Sequence, residues 1–412
     1  MEGVITVRET LEMIARQRGR DFEPGAVFEY SNTGYFLLAQ IVERVTRGSL
    51  AGYLHANVFE PLEMERTQVL DDPQRLVAGR ATGYAPGGDG WRISMNGWEQ
   101  TGDGAVMSTV VDMAKWDANF YEPKVGAAGV IDTLQTRGRL DDGTSLDYAA
   151  GLLHGNYRGQ PTVWHAGGVA GYRSQFERYP ELDTSIILLC NAASAQPDEM
   201  ARRIADIVLE SNLSGKPSVG GPLAPEPARP EVELTEAQLD AWAGHYRETT
   251  TGEIIRIERT AEGLEFVAWQ ERNPLVPTSA KTFRFGPLPY VLEFDGARPK
   301  RTLTARGIAM FEPDAFEEIE LHEPSADELA ALTGRYRSEE IGTEWRLSLE
   351  DGALVVSGPV FPEPVGLTTA VEDEFTISAI GGTVKFIRGR RRVTGSMFGF
   401  DRMHDIRFDR VP

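Results

Sequence analysis

Residues 22–35 read Phe22-Glu-Pro-Gly-Ala-Val-Phe-Glu-Tyr-Ser-Asn-Thr-Gly-Tyr35, and their reading decides what the rest of the chain has to be. Pro24-Gly25 predicts a turn leading into a short apolar strand, and Gly34 opens a helix that runs to about Arg47. Leu37, Leu38, Ile41, Val42 and Val45 keep the i, i+3, i+4, i+7 spacing of a core-facing stripe. Tyr30-Ser31-Asn32 then stand at a strand-to-helix corner, where a phenol and an amide can project into a cleft. The plainer alternative is that Ser31 or Asn32 only caps the helix.

A second stretch matches it in density of signal: Val163-Trp-His-Ala-Gly-Gly-Val-Ala-Gly-Tyr-Arg-Ser-Gln-Phe-Glu-Arg-Tyr-Pro180. Gly167, Gly168 and Gly171 remove side chains where a strand edge has to admit a substrate backbone. His165, just before them, is placed to donate to a substrate carboxylate or a developing oxyanion, unless it is merely a satisfied histidine at a strand end. Around these stretches the patterns alternate between helix and strand. Helices are expected over Val7–Arg18, Thr109–Phe120 and Pro197–Leu213, and a strand pair over Ser174–Tyr179 and Ser185–Cys190, turned at Pro180-Glu-Leu-Asp183. Residues 1–212 read as one mixed α/β domain.

Residues 213–233 are too rich in Pro and Gly for a helix or central strand and read as a linker. Beyond it lies an internal repeat. Leu234-Thr-Glu-Ala-Gln-Leu-Asp-Ala-Trp-Ala-Gly-His-Tyr-Arg247 is echoed by Ser325-Ala-Asp-Glu-Leu-Ala-Ala-Leu-Thr-Gly-Arg-Tyr-Arg337. Each copy predicts a short helix, a Gly-x-Tyr-Arg restart and then alternating strands such as Ile254–Glu258 and Trp345–Leu349. Two copies of one antiparallel barrel or sandwich follow, over 234–322 and 323–412.

Composition narrows the partners. A formal net charge of -20 repels polyanions, so nucleic acid and anionic lipid are poor partners and a small-molecule or peptide substrate is the better expectation. The chain has no apolar stretch long enough for a membrane span. Read as printed, its start fits a cytoplasmic protein; a leader removed ahead of Met1 would make it periplasmic or secreted. Cys190 is the one cysteine, which rules out an intrachain disulfide, and its apolar run Ser185–Cys190 reads as an inert buried thiol. The six histidines, His55, His154, His165, His245, His322 and His404, form no ligand pattern, so neither a metal nor a cofactor is expected. Arg388-Gly-Arg-Arg-Arg392 reads as a solvated hairpin turn. Composition leaves the oligomeric state open.

The order of four blocks carries a resemblance: Pro24-Gly25 through Tyr35; Phe59-Glu-Pro-Leu-Glu-Met64; Gly102-Asp-Gly104 with Asp112-Met-Ala-Lys-Trp116; and His165-Ala-Gly-Gly168 with Pro180 and Asn191. In this order they resemble the β-lactamase-like, penicillin-recognising serine hydrolases, which include class C β-lactamases, DD-peptidases, esterases and D-aminopeptidases. His-x-Gly in place of Lys-Thr-Gly, followed by a linker and two small β modules, is similar to the D-aminopeptidase layout. The fold this implies is α+β: a β-lactamase/DD-peptidase-like α/β domain, N-terminally incomplete, followed by two small antiparallel β-barrel-like domains.

The resemblance also implies roles. Tyr30 would relay the nucleophile's proton to the leaving group, with its pKa lowered by a neighbouring cation. Asn32 would hold the substrate amide, and His165 would fix the substrate or support Tyr30. The Gly168 backbone N–H, in the Gly167-Gly168 pair, would form half of the oxyanion hole, the nucleophile's own N–H forming the other half. Glu363, in Ser357-Gly-Pro-Val-Phe-Pro-Glu363-Pro, falls by rough position where a D-aminopeptidase loop selects the substrate amine. The departure is the nucleophile. Such enzymes use Ser-x-x-Lys upstream of Tyr-x-Asn, but here only 29 residues precede Tyr30 and none of the six lysines has a serine three positions earlier. Thr278-x-x-Lys281 is the one hydroxyl match, in the β-rich tail. The expectation is a chain without the covalent step, with apolar surface left uncovered. Its rival is a non-catalytic relic or binding protein.

Overall fold

The computed structural model describes all residues except 1–3, 18, 21, 88–89, 127–128, 215–231, 250–251, 269–270, 286–290, 307–313, 378, 391 and 401–402; residues 271, 285, 306 and 314 are described by backbone only. The stretch expected as a linker therefore lies almost wholly outside the described residues. The chain divides into two compact units, Met1–Leu11 with Glu23–Pro222, and Glu12–Phe22 with Leu223–Pro412.

The first unit is built on an antiparallel sheet of four sequential strands, β1 (Leu153–Tyr157), β2 (Gln160–Val169), β3 (Tyr172–Tyr179) and β4 (Thr184–Cys190). Between β3 and β4 the expected turn is a 3-10 turn over Pro180–Leu182, with Asp183 in the left-handed region. Strand alternation sorts β3 into two faces. Tyr179 joins Tyr157 and Ile186 against Ala201 and Ala205 of the helix Pro197–Val208. Arg178 points the other way, donating to Asp117 at 2.7 Å and lying over the Phe120 ring at 4.1 Å. Asp117 belongs to the helix Val110–Ala118, whose N-cap Thr109 accepts from the Asp112 N–H. A smaller core of Phe59, Leu62, Met64, Val69 and Val125 lies to one side.

Two helices depart from expectation. The first, α1, spans Val7–Arg16, and Leu11 and Ile14 are only half-buried. The second, α2, spans Asn32–Thr46, so it opens two residues before Gly34. Its stripe is not in the core: Leu38, Ile41 and Val45 are 53%, 56% and 77% exposed. The buried positions are Phe36 and Ala39, and the Gly102 loop packs against Ala39. A Cβ on Gly102 would stand 2.5 Å from the Ala39 Cβ. Spacing established an apolar stripe, but which flank is covered depends on the element packed against it.

The second unit holds two closed antiparallel barrels of eight strands each, one between Gly244 and Ile319 and one between Gly334 and Val411. Closure settles the choice between barrel and sandwich. The repeated motif opens each barrel in the same way. A capping box starts each short helix, Thr235 with Gln238 and Ser325 with Glu328. The following tyrosine turns back to cap that helix, the Tyr246 hydroxyl donating to the Trp242 carbonyl at 2.8 Å and Tyr336 to the Leu332 carbonyl at 2.7 Å. Burial pushes both phenols up to about 12.

A guanidinium completes each cap from a different place in the chain. Arg301 donates to the Ala241 and Ala243 carbonyls and pairs with Glu318, whereas Arg410 donates to the Ala331 and Thr333 carbonyls. The glycine of Gly-x-Tyr-Arg makes room for them: a Cβ would meet the arginine at 2.6 Å from Gly244 and 2.9 Å from Gly334. Arg388 lies, as expected, at an exposed hairpin turn, and there it grips Asp373 through two donors, Nε at 2.5 Å and Nη2 at 2.6 Å.

Candidate functional site

The approach to Tyr30 is an irregular segment rather than the expected strand. It starts at the Pro24-Gly25 turn, where Gly25 takes φ 81° and its carbonyl accepts from the Asp141 N–H at 3.0 Å. A side chain at Gly25 would collide with the Asp141 carboxylate, so glycine is needed there for both reasons. Ser31 is the N-cap of α2 and accepts from the Gly34 N–H at 3.2 Å. The plainer reading thus holds for Ser31, which leaves its two neighbours for other work. Asn32 is the first helical residue and is exposed, and Tyr30 is half-buried.

His165 lies on β2, in the half of the strand that runs past β1. The β1 ladder ends at Leu153 opposite Trp164, while β3 pairs with β2 as far as Val169. The β1-side edge at His165, Gly167 and Gly168 is therefore not covered by β1, which is the geometry that admits an added strand. Gly167 faces Ser174 and Gly168 faces Arg173 across the ladder.

The state of His165 follows from its contacts. Its Nδ1 lies 2.6 Å from the Ala166 carbonyl. A carbonyl only accepts, so Nδ1 carries the proton. Burial pushes the imidazole below its ordinary value, the Ala166 contact opposing weakly. A neutral ring protonated at Nδ1 presents Nε2 as a bare acceptor. Burial thus favours the neutral ring, with Nε2 as its acceptor nitrogen.

The structure brings Tyr30 and His165 together, their ring centroids 6.0 Å apart. It adds a residue that the sequence did not single out. Tyr148 stands edge-on to Tyr30 at 6.0 Å and to His165 at 6.3 Å, closing a triangle of rings, with Phe28 behind it at 5.1 Å. Burial holds its phenol well above the ordinary tyrosine range, and the Tyr35 and Tyr30 phenols beside it act in the same direction. No motif announced Tyr148, since Asp147-Tyr-Ala-Ala-Gly151 belongs to none of the blocks that carry the resemblance.

Two expected participants belong to the second unit. Glu363 is exposed in the turn 358–364, which is closed by the reciprocal Gly358 and Phe361 backbone bonds at 2.9 and 3.0 Å. Thr278 and Lys281 close a barrel hairpin: the Thr278 hydroxyl donates to the Thr282 carbonyl at 3.1 Å and Lys281 pairs with Asp295 at 2.6 Å. That arrangement spends both groups on the turn. Among the described residues no group of three His, Cys, Asp or Glu could hold a metal, and no helix is long and apolar enough to cross a membrane.

Comparison with known proteins assigns the first unit. The Beta-lactamase family model matches residues 5–209. The D-aminopeptidase of Brucella anthropi is 24% identical over 362 residues, covering 86% of this chain and 62% of that protein. The D-aminopeptidase of Gluconobacter oxydans is 25% identical over 362 residues, covering 87% and 64%. The chain thus spans less than two thirds of the length of these relatives. Among solved structures, the octameric penicillin-binding protein homologue from Pyrococcus abyssi aligns at TM-score 0.43 and 20% identity, over 77% of this chain and 76% of that one. Residues 5–209 thus match the Beta-lactamase family, and the chain carries that domain with two β-barrels in a D-aminopeptidase-like layout.

Proposed function

We propose that this chain carries the proton-relay and substrate-binding side of a serine hydrolase that cleaves an amide, peptide or ester through an acyl-enzyme, with D-aminopeptidase-like selectivity, and that the 412 residues by themselves do not form the acyl-enzyme. The observation that carries this reading is the Tyr30–Tyr148–His165 ring triangle beside the Gly167-Gly168 edge, in a chain whose six lysines include none with a serine three residues earlier. Tyr30 is the proton relay. His165 fixes the substrate or supports Tyr30, whose ring lies 6.0 Å from its own. Asn32 holds the substrate amide and the Gly168 N–H supplies one donor to the oxyanion. Glu363 contacts the substrate amine. The D-aminopeptidase relatives support the substrate class.

Without Ser-x-x-Lys these residues lack the serine that the family acylates and its activating lysine, and what remains is binding and a half-built oxyanion hole. The test is to incubate the 412-residue chain with a fluorescent penicillin and, separately, a fluorophosphonate, and to read the labelled fraction. No covalent label is expected; stoichiometric labelling would overturn the inactivity. The same missing pair favours a second reading, a non-catalytic binding protein that uses the remaining cleft. An in-frame Ser-x-x-Lys encoded ahead of Met1 would assign catalysis to a longer product, and a stop codon there would leave the binding reading.

A further inference from the structure

The stretch from Gly138 to Leu153 touches each part of the site. Its Asp141 N–H donates to Gly25, in the turn that leads to Tyr30. Its Tyr148 carbonyl accepts from the Gly138 N–H at 2.7 Å, and Tyr148 forms an antiparallel bridge with Leu153. Leu153 is fully buried and pairs with Trp164, the residue before His165. The Tyr148 backbone is thereby fixed from both sides, by Gly138 on one and, through Leu153, by β2 on the other.

From that fixed backbone the ring reaches both chemical groups, edge-on to Tyr30 and to His165, while Phe28 limits its retreat. The Tyr35 hydroxyl lies at the same place, 3.4 Å from where a Cβ on Gly151 would stand. Tyr35 is three residues after Asn32 on α2, one turn along. One side chain thus contacts or adjoins the anchors of Tyr30, Asn32 and His165. We propose that Tyr148 is a positioning residue: its ring fixes the spacing of Tyr30 and His165 and keeps water from the imidazole. A 1 Å error in such spacing is costly to proton transfer, which is why a rigid wedge is useful there. The proposal rests on the site reading above, but its test does not depend on turnover.

The titratable side chains whose rings pack on His165 are Tyr30 and Tyr148, so the His165 titration reports on the wedge. The experiment follows the His165 ring C–H signal by NMR against pH in the full chain, assigned through His165→Gln. Tyr148→Leu removes the ring and is expected to raise the His165 midpoint toward its ordinary value by roughly half a pH unit or more. Tyr148→Phe keeps the ring and is expected to match the unsubstituted chain, a rescue that loss of stability alone would not produce. If Tyr148→Leu fails to fold, Tyr148→Met carries the same expectation. An unchanged midpoint in a folded Leu or Met variant overturns the proposal, and so does a Phe variant that shifts as far as Leu. Covalent labelling in the earlier experiment leaves this titration unaffected, so the two readings fail separately.

Discussion

The two barrels and the α/β unit bury apolar residues by opposite means, and the difference explains what each is for. A barrel closes on itself, so every strand finds partners within its own module and the inward residues meet one another. Phe294 stacks on Trp242 at 5.2 Å and meets Tyr246 and Phe283 edge-on, and Trp345 stacks on Phe408 at 4.1 Å. The β1–β4 sheet is open, and its α2 helix presents Leu38, Ile41 and Val45 to solvent. Yet the open unit carries the ring triangle and the uncovered β2 edge. Chemistry needs backbone and side chains left accessible, whereas a closed barrel spends all of its own.

The largest way to break this comparison is to empty a barrel. Phe294→Ala should lower stability by about 3–5 kcal/mol, through lost transfer energy and the cavity left behind. Urea unfolding of the barrel transition measures it. A loss below about 1 kcal/mol would mean that this interior is not packed as a core.

A sharper contrast comes from pH, because the two units hold carboxylates perturbed in opposite senses. In the first barrel, hydrogen bonds from Arg301 hold Glu318 below its ordinary value. A depressed carboxyl stabilises the fold above the unfolded value, near 4.5, and that contribution is lost as pH falls through the folded value. In the α/β unit, burial raises Glu177 despite Arg202 and the Tyr179 hydroxyl. A raised carboxyl contributes most below 4.5 and loses that contribution as pH rises through the folded value. Calorimetry at stepped pH should therefore show the barrel transition falling in acid and the α/β transition falling between pH 4.5 and neutrality. Glu318→Gln should flatten the first slope and Glu177→Gln the second; if each variant flattens both slopes, the units do not unfold separately.

The smallest effect on stability is expected on the open face. Replacing Leu38, Ile41 and Val45 together by serine should change the α/β transition by less than about 0.5 kcal/mol per site, since each is more than half exposed. The same change should reduce dye binding to apolar surface and self-association in sedimentation. A large stability loss instead would mean that something covers the face in solution.

Much of the fold was legible because its signals are local. The short helix, the Gly-x-Tyr-Arg restart and strand alternation need only a few residues each, and they pointed to two small β modules. The chemistry of the restart was not legible. Tyr246 and Tyr336 serve the same cap, but the arginine comes from Arg301 in one barrel and Arg410 in the other, so no spacing connects them. Tyr30 and His165 were readable from the motifs around them. Tyr148 was not, because its neighbours in space come from α2, the Pro24-Gly25 segment and β2, which are distant in sequence.

The sequence by itself determined the family blocks, the repeat, the net negative charge and the lack of any Ser-x-x-Lys, since these are properties of residue order and composition. Only the tertiary structure decided three other matters. It turned α2 so that Phe36 and Ala39 are buried, Ala39 against the Gly102 loop, while Leu38, Ile41 and Val45 face water. It buried the His165 imidazole, which lowers its pKa and favours the neutral ring. It also brought Tyr148 between Tyr30 and His165. The physical reason is common to all three: covering a face, burying an imidazole and wedging a ring depend on which distant atoms arrive, and periodicity along a chain carries no information about arrival.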